Sequence, residues 1–350
     1  MTDSMYWNPK ETLSHNCLFN FIVGMRGGGK TYGSLKYAIQ RWLAADKAGK
    51  PSQFLYVRRL KSELEKLTIS RGGRLFKAVE KEFPGYELKA ESNELSIRDK
   101  SQGNRFKTLG YAQPLSTASI LKSDAFPYVD LIVFDEFIID NKGTYHYLKS
   151  EVTKFLDLYE TVARGRDVKV LFLSNAVSVS NPYFDYFHLD KPRNGRFQKF
   201  GSDILVENYV NEQLSNQKKR TRFGNIIAGT EYSDYAYDNE WLLDNSDFLE
   251  KKTQRSRFCC TLIYNGTKLG VWVDEAQWLY YVSSDIDPTD EHFYSVTTDD
   301  HKPNMLLLKA ARQLPMIKAL MDAYACGAVR YESVKLKNAY REVMRMCNNV

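Results

Sequence analysis

The segment Gly24-Met-Arg-Gly-Gly-Gly-Lys-Thr31 fits G-x-x-x-x-G-K-S/T, the pattern of a phosphate-binding loop. Glycines in such a loop let backbone N–H groups turn towards phosphate oxygens, the lysine reaches the β- and γ-phosphates, and the hydroxyl ligates Mg²⁺. The pattern therefore predicts a nucleoside triphosphate site with Mg²⁺ at Thr31, rather than a chance glycine turn. The expected nucleotide contacts are Gly24, Met25, Arg26, Gly27, Gly28, Gly29, Lys30 and Thr31.

A second chemical pattern is the pair Asp135-Glu136, which follows the apolar run Val129 to Phe134. In P-loop NTPases an aspartate at this position supports the Mg²⁺ ion. A glutamate directly after it can orient and deprotonate the attacking water. We expect Asp135 to hold metal and Glu136 to be the catalytic base; the alternative is two acids that merely begin a loop.

Other polar side chains follow buried runs. Asn175 comes after the run Val168 to Leu173, where an amide can touch the γ-phosphate or its water and act as a sensor. A basic cluster, Arg58-Arg59-Leu60-Lys61, follows Gln53 to Val57. Open α/β sheets bind ligands beyond the carboxyl ends of their strands. A helical pattern from Glu151 ends in Arg164-Gly-Arg166.

These residues require an α/β framework. Helical spacing from Tyr32 to Ala45 follows the glycine loop, and the apolar runs at 53–58, 129–135 and 168–173 are typical of parallel strands buried on both faces. A strand between those of the two motifs, with glutamate beside aspartate, is the layout of the additional-strand, catalytic-glutamate branch of P-loop ATPases. We predict that residues 1–200 form this domain.

The remaining chain predicts a basic linker at 201–225 and a smaller α+β domain at 226–350. Lys218-Lys-Arg-Thr-Arg222 in the linker is either a solvated segment or a nucleic-acid contact. Strands at 257–264, 268–273, 279–283 and 293–298, followed by helices, indicate an RNase-H-like fold. Its first strand lacks the carboxylate that a two-metal nuclease needs. Because Asp274, Asp299 and Asp300 form an incomplete set, the sequence favours a binding or scaffold role for this domain over active cleavage.

Composition limits the partners. Residues 1–200 carry 31 Lys and Arg against 22 Asp and Glu, whereas residues 201–350 carry 18 against 21, which favours a nucleic-acid partner for the first part. No apolar run is long enough to span a membrane, and no signal peptide is expected. The 5 cysteines show no metal-binding spacing and indicate a reducing compartment.

The sequence resembles the DNA-packaging (encapsidation) ATPases of phi29-like tailed phages, along nearly its whole length. The residues that carry the resemblance are Gly24 to Thr31, Tyr56 to Arg59, Ile132 to Phe137, Leu173 to Phe184, Thr221 to Gly224, Gly229 to Tyr232, Tyr264 to Gly266, Leu269 to Asp274 and Thr297 to Asp300. The long blocks are much more specific than the two nucleotide motifs.

The resemblance implies a homo-oligomeric ring motor, pentameric in the family, that pumps double-stranded DNA through the portal (connector) of a prohead, with or without a packaging RNA. Its second domain would be an RNase-H-like vestigial nuclease. The motor would act in the host cytoplasm, transiently on the prohead, and be absent from the mature virion. Arg164 resembles an arginine finger acting on the neighbouring subunit, with Arg166 as the alternative. Lys122 is also expected to act across that boundary. Lys61 resembles a DNA-facing pore residue, and Arg59 is a second candidate DNA contact.

Alternatives to such a motor remain open on sequence. They are a terminase-like motor with an active nuclease, a nucleotide-gated capsid assembly factor, and a helicase, although the C-terminal half does not resemble a second motor domain.

Overall fold

The computed structural model describes residues 6–68, 74–123, 125–139, 146–192, 194–239 and 247–348. The chain forms two compact units, residues 1–242 and 243–350.

The first unit is built on one mixed sheet. Its strands are β1 (Phe19–Gly24), β2 (Gln53–Arg58), β3 (Tyr86–Glu91), β4 (Glu94–Asp99), β5 (Lys107–Pro114), β6 (Val129–Asp135), β7 (Lys169–Ser174), β8 (Phe197–Phe200) and β9 (Ile204–Tyr209). Its helices are α1 (Pro9–Ser14), α2 (Lys30–Lys47), α3 (Lys61–Thr68), α4 (Glu151–Ala163), α5 (Pro182–Tyr186), α6 (Glu212–Lys219), α7 (Arg222–Ile227) and α8 (Glu231–Tyr237). Short 3₁₀ turns lie at Arg74–Phe76, Glu80–Glu82 and Leu115–Ser123.

The strand order is β3-β4-β5-β2-β6-β7-β1-β9-β8. Strands β5, β2, β6, β7, β1 and β9 run parallel, while β3, β4 and β8 add antiparallel edges. Strand β7 therefore lies between the glycine-loop strand β1 and the acidic strand β6, which confirms the additional-strand order. The carboxyl ends of β1, β6 and β7 meet at one edge, where both motifs lie.

Apolar side chains on both faces of the central strands explain their continuous runs. On one face, Ile22 and Leu173 pack with Leu35 and Ile39 of α2. On the other, Phe21 stacks on Phe172 with ring centroids 4.2 Å apart. Period-two alternation sends successive strand residues to opposite faces, and each face is buried by a different layer.

The prediction of a linker at 201–225 is wrong for residues 204–209. They form β9, which pairs in parallel with β1 from Phe19 to Gly24. Helices α6 and α7 follow in place of extended linker. Glu207 interrupts the apolar run of β9, which is why its sequence does not read as a buried strand. In the structure its side chain is buried and accepts bonds from Trp7 and Thr12.

The second unit contains the predicted sheet. Its strands are β10 (Arg257–Tyr264), β11 (Thr267–Asp274), β12 (Leu279–Ser283), β13 (Phe293–Ser295), β14 (Leu306–Leu307) and β15 (Val329–Tyr331), in the order β14-β13-β10-β11-β12-β15. Strands β10, β11 and β12 are antiparallel, and β13 pairs in parallel with β10. Helices α9 (Leu308–Ala311), α10 (Pro315–Ala325) and α11 (Val334–Asn348) complete the α+β unit. Three antiparallel strands followed by a fourth strand and helices were predicted from the sequence, and the structure adds that the fourth strand pairs in parallel with the first.

Candidate nucleotide site

The glycine loop connects β1 to α2 in the form expected of a phosphate-binding loop. Gly27 and Gly29 have φ of 66° and 83°, in the left-handed region that glycine adopts at little cost. The Lys30 Nζ folds back over the loop and donates to the carbonyl oxygens of Gly24 at 2.7 Å and Met25 at 3.0 Å. The lysine thus already spans the turn that would enclose phosphate.

The surroundings of the loop leave little room for larger side chains. A Cβ at Gly28 would lie 3.0 Å from Tyr209 Cε1, and a Cβ at Gly33 would lie 2.3 Å from the carbonyl oxygen of Trp7. The Trp7 backbone N–H also donates to the carbonyl of Gly28 at 2.9 Å. The N-terminal segment and β9 therefore support the loop by direct contact.

Lys30 is buried, and this affects its charge. Burial lowers the pKa of Lys30 to about 7, although the nearby Asp135 opposes that shift. The ammonium also donates to Asn175 Oδ1 at 3.1 Å, which places the predicted sensor directly beside the lysine. A bound phosphate chain would favour the charged form of Lys30.

Asp135 is the point where the two motifs meet. Its Oδ2 accepts hydrogen bonds from the hydroxyls of Thr31 at 2.9 Å and Tyr56 at 2.8 Å, and Arg58 Nη1 lies 3.4 Å away. Burial raises the pKa of Tyr56 well above its ordinary value, so the phenol remains a donor. A hydroxyl and a carboxylate oxygen side by side are hard donors that suit Mg²⁺. Thr31 and Asp135 therefore fit the predicted metal ion.

Glu136 follows in a left-handed conformation, with φ of 59°. Its side chain is 58% exposed, and its Oε2 pairs with Arg58 Nη2 at 2.8 Å. A non-glycine residue in this region is uncommon and has to be held by its surroundings. The backbone turn directs Glu136 away from the sheet interior, while Arg58 binds both carboxylates of the acidic pair.

The prediction that Arg59 contacts DNA is wrong, because its side chain is buried. Its Nε and Nη2 bind the two carboxylate oxygens of Glu151 at 2.8 and 2.9 Å. Its Nη1 and Nη2 also donate to the carbonyl oxygens of Glu136 and Phe137 at 3.0 and 2.8 Å. Through these two hydrogen bonds Arg59 holds the backbone at Glu136 and Phe137 in place. Lys61, two residues on, has a side chain 67% exposed, with a distant pairing to Glu65 at 3.7 Å.

Two arginines follow α4, and both are exposed. Arg164 ends the helix in a left-handed conformation, with φ of 45°, and lies on the surface. Arg166 donates to the carbonyl oxygens of Phe126 at 2.7 Å, Val129 at 2.9 Å and Val162 at 2.6 Å. These bonds hold part of the Arg166 side chain against the protein, but both arginines are exposed, so the choice between Arg164 and Arg166 as the finger stays open. Lys122 lies in a 3₁₀ turn, and its side chain is outside the described part of the structure.

The candidate carboxylates of the second unit stabilise turns. Asp274 accepts from Thr253 Oγ1 at 2.6 Å and from the backbone N–H of Ala276 at 3.0 Å. Asp300 accepts the backbone N–H groups of Asn265 and Gly266, each at 2.8 Å. In the described ranges, no three His, Cys, Asp or Glu side chains are grouped so that they could hold a metal ion.

Sequence reasoning missed three residues at the site. Tyr56 lies inside an apolar run, and nothing in that run predicts that its hydroxyl donates a hydrogen bond to Asp135. Arg58 belongs to the basic cluster that follows Gln53 to Val57. Its position at the carboxyl end of a strand is the feature that could have predicted its place at the site. Lys218 belonged to the predicted linker, yet its Nζ donates to the carbonyl oxygen of Arg26 in the loop.

The glycine loop, the acidic strand and the intervening β7 together define a P-loop NTPase fold of the additional-strand type. The chain belongs to the family of podovirus DNA encapsidation proteins (Gp16), whose family model matches residues 1–348.

Relatives of known structure support this assignment. The chain is 38% identical to the DNA packaging protein of Bacillus phage phi29 over 346 residues, which covers 99% of this chain and 98% of that protein. It is similar to a chain of the phi29 viral genome packaging motor assembly, with TM-score 0.76, 38% identity and coverage of 99% and 100%. The N-terminal domain of the phi29 DNA packaging ATPase matches 59% of this chain and 98% of its own, with TM-score 0.51 and 39% identity.

Proposed function

We propose that this DNA-packaging protein hydrolyses ATP at the loop Gly24–Thr31 and uses the reaction to drive double-stranded DNA into a preformed prohead. The observation that carries the proposal is the convergence of the two motifs: Thr31 Oγ1 donates to Asp135 Oδ2 at 2.9 Å across 104 residues of sequence. Family membership supplies the DNA-packaging context.

The residues of the site have distinct roles in this proposal. Lys30 and the loop N–H groups bind the phosphates, and Asn175, which is bonded to Lys30 at 3.1 Å, senses the γ-phosphate. Thr31 and Asp135 would hold Mg²⁺, which supplies charge neutralisation on the β- and γ-oxygens when bound. Glu136 orients and deprotonates water.

Arg58 occupies one carboxylate oxygen of Glu136 before reaction, because its Nη2 lies 2.8 Å from Oε2. The Arg58–Glu136 contact of 2.8 Å must therefore loosen before Glu136 can accept a proton from water. The Glu136 side chain is 58% exposed whereas that of Arg58 is 13% exposed, so Glu136 is the partner that can move away.

The arginine finger and the DNA contacts complete the motor. Arg164 projects from a surface helix end, where it is accessible to a neighbouring subunit of a homo-oligomeric ring. A finger supplied in trans accelerates phosphoryl transfer by ~10³-fold or more in related systems. Lys61 contacts DNA phosphates, and Lys122 is a second trans-acting residue. A pump that accepts any sequence should bind mainly phosphates.

The partners follow from this assembly. One relative forms a "viral genome packaging motor assembly", and we infer a comparable ring here, docked on the portal of a prohead in the host cell, with or without a packaging RNA. Among the described helices, none is both long and apolar enough to cross a membrane.

Glu136→Gln tests the proposal. The amide is nearly isosteric but cannot accept a proton, so the variant should bind ATP with wild-type affinity and hydrolyse it at least ~10²-fold more slowly. Binding and turnover are measured by calorimetry and by phosphate release in the presence of DNA and proheads. Turnover near the wild-type rate would rule out Glu136 as the base.

A further inference from the structure

Lys218, near the end of α6, lies directly against the tip of the glycine loop. Its Nζ donates to the carbonyl oxygen of Arg26. A Cβ built on Gly27 would lie 2.8 Å from the same Nζ. The ammonium is therefore within hydrogen-bonding distance of the loop backbone, 192 residues away in sequence. The sequence predicts that this lysine lies in a linker. None of the roles proposed above for residues of the nucleotide site involves it.

The packing of α6 and the contacts of α8 hold Lys218 beside the loop. Asn211 caps α6, since its Oδ1 accepts the N–H of Leu214 at 3.0 Å, and Leu214 is buried in the core of the first unit. Lys218 also lies over the ring of Tyr237, with Nζ 6.0 Å from the centroid. From α8, Tyr232 accepts a hydrogen bond from Arg26 at 3.3 Å. Both helices thus reach the loop tip.

The charges around the loop tip are unbalanced. In the described part of the chain, no carboxylate pairs with Lys218, whereas the adjacent Lys219 binds Asp238 at 2.7 Å. Burial and the neighbouring Arg26 lower the pKa of Lys218, and the charge of Lys218 in turn contributes to lowering the pKa of Lys30. Three cationic side chains around a loop of inward-facing N–H groups repel one another until an anion is bound. Polyphosphate is the anion that the loop accepts.

We propose that Lys218 is a phosphate-binding residue of the nucleotide site, which exchanges its bond to the Arg26 carbonyl for a bond to the phosphate chain. The phosphate chain of a nucleoside triphosphate is the ligand class, so this inference rests on the proposed function. The exchange needs only rotation about the lysine stem. Lys30, which bonds two loop carbonyls in the same manner, provides the precedent within this structure.

The experiment uses the full chain with three substitutions at one position and a neighbouring control. Lys218→Met removes the charge and keeps the stem, Lys218→Arg keeps the charge, and Lys218→Gln keeps a hydrogen-bond donor without charge. Lys219→Met is the control, because it removes a cation one residue away that binds Asp238 instead of the loop. Affinities for ATP and for inorganic tripolyphosphate are measured by calorimetry with Mg²⁺, and folding is checked by thermal melting.

The expected pattern follows from a charge-assisted bond to phosphate. Lys218→Met and Lys218→Gln should weaken ATP and tripolyphosphate alike, by about tenfold to a hundredfold, whereas Lys218→Arg and Lys219→Met stay within about threefold of wild type. The salt dependence of tripolyphosphate binding should become shallower in Lys218→Gln than in wild type.

Wild-type affinity in Lys218→Gln would overturn the inference, because a neutral donor would then suffice to hold the Arg26 carbonyl. Equal losses in Lys218→Met and Lys219→Met would also overturn it, since the effect would not be specific to the loop contact. If the Met variant melts early, the Arg-to-Gln comparison decides the question. Failure of the wild-type protein to bind either ligand would instead refute the proposed function.

Discussion

Replacing Arg59 by methionine should destabilise the first unit without any direct effect on DNA contact. The side chain is 2% exposed and binds the fully buried carboxylate of Glu151 through two nitrogens. The substitution removes the only cation paired with that buried carboxylate among the described residues and leaves it with hydrogen bonds from Tyr183 and Leu148, which costs about 3–5 kcal/mol. For a unit of this size, each kcal/mol lowers the melting temperature by about 2–4 °C, so a decrease of about 6–20 °C is expected.

Loss of the Arg59 side chain should also affect the acidic pair Asp135-Glu136. Arg59 donates to the carbonyl oxygens of Glu136 and Phe137, so the strained turn at Glu136 loses its support. Hydrolysis should therefore fall even below the melting temperature, where the variant remains folded. Melting is followed by calorimetry, and hydrolysis by phosphate release.

Two further variants test whether the buried Arg59–Glu151 pair accounts for the loss of stability. Adding Glu151→Gln to Arg59→Met removes the uncompensated charge and should recover part of the lost stability. Lys61→Met, at a side chain 67% exposed, should leave the melting temperature within about 1–2 °C and weaken DNA binding with a shallower salt dependence. If Arg59→Met melts like wild type and loses DNA affinity instead, the buried-pair explanation is refuted.

Three other predictions concern the reaction and its limits. Arg164→Ala and Glu136→Ala should each be inactive alone, but mixed rings should recover some hydrolysis through hybrid interfaces; no recovery at any ratio, with rings confirmed, would count against a finger acting in trans. Because burial lowers the pKa of Lys30 to about 7 and bound phosphate raises it, nucleotide binding above that pH must take up a proton. Affinity should then fall by about fivefold to tenfold from pH 7.5 to 8.5, and calorimetry in buffers of different ionisation enthalpy should show the uptake; a pH-independent affinity over this range would contradict it. The purified protein should not nick DNA with Mg²⁺ or Mn²⁺; cleavage that Asp299→Ala abolishes would instead support the rival motor with an active nuclease.

Local patterns predicted most of the framework. The strands Gln53–Arg58 and Val129–Asp135 have the bounds expected from their apolar runs, and α2 and α4 follow the helical spacing. In the second unit, strands β10 to β13 lie at the predicted positions along the chain. These elements are readable because burial on two faces, or on one helical face, imposes a period on neighbouring residues.

The failed predictions concern residues whose surroundings come from distant parts of the chain. Strand β9 was missed because Glu207 interrupts its apolar run, and only contacts from Trp7, Thr12 and Arg196 make that carboxylate acceptable in the interior. A buried polar group is tolerated where it is hydrogen-bonded, and the partners here lie elsewhere in the sequence.

The sequence by itself predicted a nucleotide site at the loop and the acidic pair, because spacing within eight residues and adjacency at a strand end are local properties. Only the tertiary structure decided which basic residues lie beside these two motifs. Arg59 and Lys61 are two residues apart, yet one is buried against Glu151 and the other faces solvent. Lys218 and Lys219 are adjacent, yet one contacts the loop and the other pairs with Asp238. The physical reason is that the partner of a charged side chain depends on which distant segments fold against it, and no local pattern carries that information.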